Sequence, residues 1–99
     1  MTVAALVPDL MDRSRLGGIV DTFVRTADAL ADIDADVVIL DLTQGGAIDA
    51  AAALVERGVR VVAFGSHVDT ATLDAARATG AEVLPRSRFF ADPAQALGL

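Results

Sequence analysis

The chain has 99 residues, a net charge of −6, one histidine and no cysteine. This length is that of a single domain, which we expect to span residues 1–99. The absence of cysteine and lysine excludes disulfides, thiolate metal sites, a P-loop and Schiff-base chemistry, and a single histidine excludes a His-rich metal site. The acidic balance disfavours nucleic acid and anionic membrane surfaces as partners.

Four apolar runs predict strands that are buried on both faces. None of the runs alternates between apolar and polar residues, and continuous runs of this length are typical of a parallel sheet. The predicted strands are Met1–Val7, Val37–Leu42, Val59–Phe64 and Ala81–Leu84. No run approaches the roughly 18–20 residues of a membrane span. The N-terminus lacks the basic region of a signal peptide, so we expect a cytoplasmic protein.

Two helices are predicted between the later strands. Ala47–Arg57 is rich in alanine, which favours a helix, and Gly58 follows as a stop signal. Asp69–Thr79 begins with a good N-cap residue and is followed by Gly80. Strands that alternate with helices at this spacing predict a parallel sheet with helices on both faces.

The ends of two helices give further signals. Val68 and Leu73 have the spacing of a hydrophobic staple around the start of the second helix. A last helix is expected to start near Asp92 and Pro93, because proline is favoured in the first turn, and to run to about Leu97.

The segment Asp12–Asp36 permits two interpretations. A single long helix would place its apolar residues on one face. The alternative is a short helix over Asp12–Leu16, a strand over Thr22–Arg25 and a short helix over Thr26–Ala31. The adjacent Gly17 and Gly18 would cost about 2 kcal/mol inside a helix, which favours the alternative.

Ligands of open parallel sheets bind beyond the carboxyl ends of the strands, so the polar residues after each run are the candidate site. We expect them to converge on one rim of the sheet. These residues are Asp9, Asp41, Thr43, Ser66, His67 and Arg86.

Over nearly its whole length the chain resembles the receiver domain of two-component response regulators. Val37–Leu42 is similar to the central strand of receivers, and Asp41 falls at the place of their phospho-accepting aspartate. Gly45 and Gly46 follow in the next loop. Ala75–Ala81 resembles the helix end and Gly-Ala turn before the last strand, and Arg86–Phe89 lies where receivers have Lys-Pro-Phe.

The resemblance implies a flavodoxin-like, doubly wound α/β fold with five parallel strands in the order 2-1-3-4-5. Its first two helices would be shortened, since the chain is about 20 residues shorter than a usual receiver. The departures affect the site. Receivers have an acidic pair after the first strand, which helps to hold Mg²⁺, and here only Asp9 stands there, beside Pro8. The lysine of receivers is replaced by Arg86, and a gapless alignment places Gly65, not Ser66, at their Ser/Thr position.

Three functions remain open. The first is a small non-catalytic signalling module, not an enzyme, that docks a partner protein or a second copy of itself and needs no cofactor. The second is a working receiver that is phosphorylated at Asp41, with Mg²⁺ held by Asp9 and Asp41. In the second, Ser66 and Arg86 would contact the phosphoryl group. The third is a site for a small anion or other small ligand at the rim, formed by Ser66, His67 and Arg86.

Each candidate residue also has a plain structural interpretation. Asp41 would cap the next loop, and Asp9 would be the N-cap of the first helix. Ser66 beside His67 suggests a nucleophile and its base, but sequence neighbours on a loop rarely present both side chains to each other, and no third orienting residue is evident.

Arg88, Phe89 and Phe90 form a predicted partner surface, because partners and dimers of receivers use this face. The alternative is that the two aromatic residues close the core. Regular local structure would leave one of them exposed.

Overall fold

A computed structural model describes all residues from Met1 to Leu99. Its strands are β1 (Val3–Leu6), β2 (Thr22–Val24), β3 (Val37–Asp41), β4 (Arg60–Gly65) and β5 (Glu82–Pro85). Its helices are α1 (Leu10–Leu16), α2 (Ala47–Glu56), α3 (Thr70–Ala78), α4 (Arg86–Ala91) and α5 (Pro93–Ala96), with a 3₁₀ helix at Ala27–Leu30. None of the helices has the length and hydrophobicity needed to cross a bilayer.

The five strands form one sheet in the order β2-β1-β3-β4-β5, and every pairing is parallel. The predicted flavodoxin-like topology is therefore confirmed. Asp41, the last residue of β3, lies in register with Phe64 of β4, and Gly65 lies in register with Pro85 of β5. The carboxyl ends of these strands consequently meet at one edge of the sheet.

Each face of the sheet has its own hydrophobic core. Leu30, Leu54 and Leu73 cover one face from the 3₁₀ helix, α2 and α3. Leu16, Phe89 and Leu97 cover the other face, from α1, α4 and the residue after α5. The continuous apolar runs therefore predicted burial on both faces correctly for β1, β3 and most of β4. The prediction is wrong for β5, an edge strand whose residues are exposed or half-buried.

The structure confirms the helix–strand–helix interpretation of residues 12–36. α1 ends at Leu16, and the next two residues are glycines. β2 then adds an edge strand to β1. Arg57, at the C-terminus of α2, holds the segment after the 3₁₀ helix in place. Its guanidinium donates hydrogen bonds to the carbonyl oxygens of Ala31 (2.6 Å) and Ile33 (2.7 Å).

Two details at helix ends differ from the predictions. No helix was predicted at α4, which starts directly after β5 and buries Phe89. The prediction of a hydrophobic staple between Val68 and Leu73 is wrong, because Val68 is 75% exposed. The predicted last helix is confirmed as α5, where the Asp92 side chain accepts a hydrogen bond from the Gln95 N–H (3.1 Å).

Two helix-terminating glycines offer a test of the fold. Gly58 and Gly80 have φ values of +82° and +95°. At Gly58 the added Cβ of alanine would meet no other atom, so the only cost is the left-handed backbone conformation. We therefore expect a loss of about 1 kcal/mol in the free energy of unfolding. Alanine at Gly80 would also place its Cβ 2.9 Å from Val55 Cγ1, so we expect a loss of at least about 2 kcal/mol.

Urea unfolding measures both variants. Gly18→Ala is the control, because Gly18 has an ordinary φ and no atom within 4 Å of the added Cβ. Equal losses at Gly58 and Gly80 would show that α3 does not pack its C-terminus against α2 in this way.

Candidate functional site

A pocket of about 560 Å³ lies at the carboxyl ends of the strands. All five side chains predicted to bind a phosphoryl group, an anion or a metal line it: Asp9, Asp41, Ser66, His67 and Arg86. The parallel register explains this convergence, because the loops that follow β1, β3, β4 and β5 all start from the same edge of the sheet. The roles of these residues remain predictions.

Asp41 is held in one orientation at the floor of the pocket. Its side chain is mostly buried, with 7% of the residue exposed. Oδ1 accepts two hydrogen bonds from Thr43, one from the backbone N–H (2.9 Å) and one from the hydroxyl (2.7 Å). Oδ2 accepts no hydrogen bond from the protein, so one carboxylate oxygen of a pocket-lining residue is free to meet a ligand.

Arg86 forms its ion pair with Asp12, a residue that the sequence analysis did not single out. Nη1 of Arg86 donates to Asp12 Oδ2 (2.7 Å), and Nη2 donates to Oδ1, which makes the pair bidentate. Asp12 is only 2% exposed. Its position four residues before the core residue Leu16 was the available signal, since that spacing places both on the same face of α1.

The charge of the pocket acts on Arg86. The hydrogen bonds to Asp12 raise the pKa of the Arg86 guanidinium above its ordinary value, and the negative charges of Asp12, Asp41 and Asp9 raise it further. These contacts stabilise the charged form of a side chain that is already protonated at neutral pH.

Three phenylalanines form an aromatic cluster, and two of them contact the Arg86 guanidinium. Phe64, Phe89 and Phe90 pack with their ring centroids 5.0–5.1 Å apart. The Arg86 guanidinium lies 4.8 Å from the Phe90 centroid and 5.6 Å from the Phe64 centroid, within the range of cation–π attraction. Arg86 is thus fixed by a carboxylate on one side and by aromatic rings on another.

This packing corrects the predicted partner surface. Phe89 is fully buried, because α4 turns it toward the sheet, so it is a core residue and not a surface residue. Phe90 is half-buried, and the guanidinium of Arg15 lies 5.6 Å from its centroid. Of the three predicted residues only Arg88 is exposed.

The loop after β4 does not form a nucleophile–base pair. Ser66 and His67 are both exposed, and no hydrogen bond joins them. The Ser66 hydroxyl oxygen instead accepts a long hydrogen bond from the backbone N–H of Val68 (3.4 Å). Gly65, which precedes them, is buried at the end of β4.

The comparisons by sequence find no match, neither to a protein-family model nor to a curated protein. The comparison of structures does. The isolated REC domain of RcsB from Salmonella enterica serovar Typhimurium in the apo form matches 99% of this chain and 85% of its own, with a TM-score of 0.77 and 20% identity. The chain has the fold of a response-regulator receiver domain.

Two further structures with the receiver fold agree. A two-component response regulator of the LuxR family from Aurantimonas sp. SI85-9A1 gives a TM-score of 0.78 at 22% identity, over 98% of this chain and 81% of that one. The RcsB domain in the presence of the phosphomimetic BeF₃⁻ gives a TM-score of 0.77 at 19% identity, over 99% of this chain and 86% of that one. The predicted resemblance is therefore confirmed at the level of the fold.

The receiver fold implies Mg²⁺, and the side chains of this pocket provide only an incomplete set of ligands for it. No group of three or more histidine or acidic side chains is placed to hold a metal ion. The predicted ligands Asp9 and Asp41 each already accept hydrogen bonds, Asp9 from the Asp12 N–H (3.0 Å) as the N-cap of α1. Asp12, the third carboxylate, is bound to Arg86. Each of these hydrogen bonds uses Oδ1 only, so Asp9 and Asp41 offer at most their two Oδ2 atoms to the octahedral shell of Mg²⁺, and water would have to supply most of the other ligands.

The Asp12–Arg86 pair can be tested by a double-mutant cycle. Arg86→Met leaves Asp12 buried without its partner, and a broken buried pair costs about 3–5 kcal/mol. The Arg86 side chain is 47% exposed, so solvent screens the pair and we expect a loss of about 1–2 kcal/mol. Asp12→Asn combined with Arg86→Met should lose about 1 kcal/mol less than the two single variants together.

Urea unfolding of the four proteins measures this coupling. The exposed pair Asp74–Arg77 (75% and 49% exposed) is the control, and its coupling should be close to zero. Additive losses for Asp12 and Arg86 would contradict the pairing.

Proposed function

We propose that the protein is a small cytoplasmic signalling module, a degenerate receiver that docks a partner protein without being phosphorylated and without catalysing a reaction. The receiver fold supports a signalling role. The resemblance of Val37–Leu42 to the central strand of receivers supports an origin in that family.

The ion pair between Arg86 and Asp12 is the observation on which this proposal rests. Arg86 stands where receivers have their lysine, but its guanidinium is bound to Asp12 and stacked on Phe90. A phosphoryl group on Asp41 would add negative charge to a pocket whose only guanidinium is already paired. Since no metal-binding group is present either, the new charge would be left poorly compensated.

The second candidate is a receiver that is phosphorylated at Asp41. The free Oδ2 of Asp41 at the pocket favours it, because a phosphoryl acceptor needs an accessible carboxylate oxygen. The third candidate, an anion site formed by Ser66, His67 and Arg86, is opposed by charge. Asp9 and Asp41 line the same pocket and have no cationic side chain within ion-pair distance.

The net charge of −6 also bears on the partner. Two copies of the chain repel each other, so a homodimer is disfavoured relative to a partner of opposite charge. Of the predicted partner surface, Arg88 remains available on the exposed side of α4.

Incubation with acetyl phosphate and Mg²⁺, followed by intact mass measurement, tests the proposal. We expect no gain of about 80 Da, the mass of a phosphoryl group, because Arg86 is paired with Asp12. BeF₃⁻ with Mg²⁺ should likewise leave the amide resonances of Asp41, Thr43 and Ser66 unchanged. A mass adduct that disappears in Asp41→Asn would overturn the proposal in favour of a working receiver.

A further inference from the structure

The pocket at the strand ends has an excess of negative charge. Three carboxylates line it, those of Asp9, Asp12 and Asp41, against the one guanidinium of Arg86. Arg86 compensates Asp12, and no arginine lies within 4.0 Å of the other two carboxylates. The pocket therefore attracts a cation and repels an anion.

Oδ2 of Asp41 is the atom of this pocket that favours a cationic ligand most, because it accepts no hydrogen bond from the protein. Asp41 is more than nine-tenths buried, and both of its hydrogen bonds from Thr43 go to Oδ1. A largely buried carboxylate is costly unless it is compensated. A cationic donor that reached Oδ2 would gain a charge-assisted hydrogen bond in a partly dehydrated site.

Exposed apolar residues are sequence neighbours of residues that line the acidic pocket. Leu10 and Met11 follow the pocket residue Asp9, and they are 77% and 73% exposed. Val68 follows the pocket residue His67 and is 75% exposed. The only other large exposed apolar residues are the two chain termini. Arginine is among the residues that contribute most to binding when they enter a desolvated pocket, and large exposed apolar residues are suited to contact with a partner.

We propose that the pocket receives an arginine or lysine side chain of a partner protein, whose neighbouring apolar residues pack on Leu10, Met11 and Val68. The inference rests on the proposed function, because it names where and how the phosphorylation-independent partner binds. The partner's cation meets Oδ2 of Asp41 and the carboxylate of Asp9, while Arg86 stays bound to Asp12.

Charge selects this occupant over the others. A second copy of the chain has the same net charge of −6 and is repelled. A divalent cation lacks a group of three ligands. A side-chain cation needs only one or two carboxylates, and a volume of about 560 Å³ accommodates it.

The probe is the peptide acetyl-Leu-Arg-Leu-amide, titrated into the ¹⁵N-labelled protein and followed by amide chemical shifts. Its matched control replaces arginine by citrulline, which has the same shape without the charge. We expect shifts at Asp41, Thr43 and Gly65, and binding of the citrulline peptide that is about tenfold weaker or more.

Variants locate the interaction. Asp41→Asn should weaken binding of the arginine peptide about tenfold. The asparagine keeps an oxygen that can accept both hydrogen bonds from Thr43. Asp34→Asn removes the same charge at an exposed residue outside the pocket and should have no effect. Asp9→Asn, which keeps the N-cap, is the second test if Asp41→Asn does not fold. Leu10→Ser with Met11→Ser should weaken binding several-fold.

Equal affinity for the arginine and citrulline peptides, absence of binding by both, or binding unaffected by Asp41→Asn would overturn the inference. The same shifts produced by Mg²⁺ alone, by inorganic phosphate alone or by raising the protein concentration would overturn it in favour of a metal, an anion or a second copy. The mass measurement with acetyl phosphate decides the proposed function separately, so failure of the two can be distinguished.

Discussion

The parallel register of β1, β3, β4 and β5 is the constraint on which the rest of this structure depends. It brings the carboxyl ends of these strands to one edge of the sheet and sets Asp41 beside Phe64. Each following loop then starts from that edge, so residues far apart in the chain share one pocket. The same parallel pairing buries both faces of the sheet, which is why the strands tolerate few polar residues.

Arg86 connects the core of the molecule to its pocket. Its guanidinium is bound by Asp12, and the rings of Phe64 and Phe90 lie beneath it. An arginine with these contacts would have to leave Asp12 before it could pair with charge elsewhere in the pocket. Under the proposed function, this pairing favours a receiver fold that works in a single state.

Under the proposed function, the remaining charge would let the protein select its partner. With Arg86 committed to Asp12, the pocket keeps an acidic character that a phosphorylated receiver would have to neutralise. A partner that supplies its own cation would neutralise it without any chemical step. Recognition of this kind depends on electrostatic complementarity and on apolar contacts at the rim, which together determine association rate and specificity.

The sequence by itself determined the fold class, the strand order through its resemblance to receivers, the helix ends at Gly58 and Gly80, and the convergence of Asp9, Asp41, Ser66, His67 and Arg86. The fold class and the helix ends follow from local patterns, because apolar runs, caps and stop residues act over a few positions. The convergence follows from the general rule that sites of open parallel sheets lie beyond the carboxyl ends of the strands. Only the tertiary structure decided which charges pair. Asp12 and Arg86 are 74 positions apart. No local pattern in the sequence shows whether Arg86 pairs with Asp12 or with Asp41. The burial of Phe89 was likewise decided by the tertiary structure, in which α4 packs Phe89 and Phe90 against Phe64 of β4.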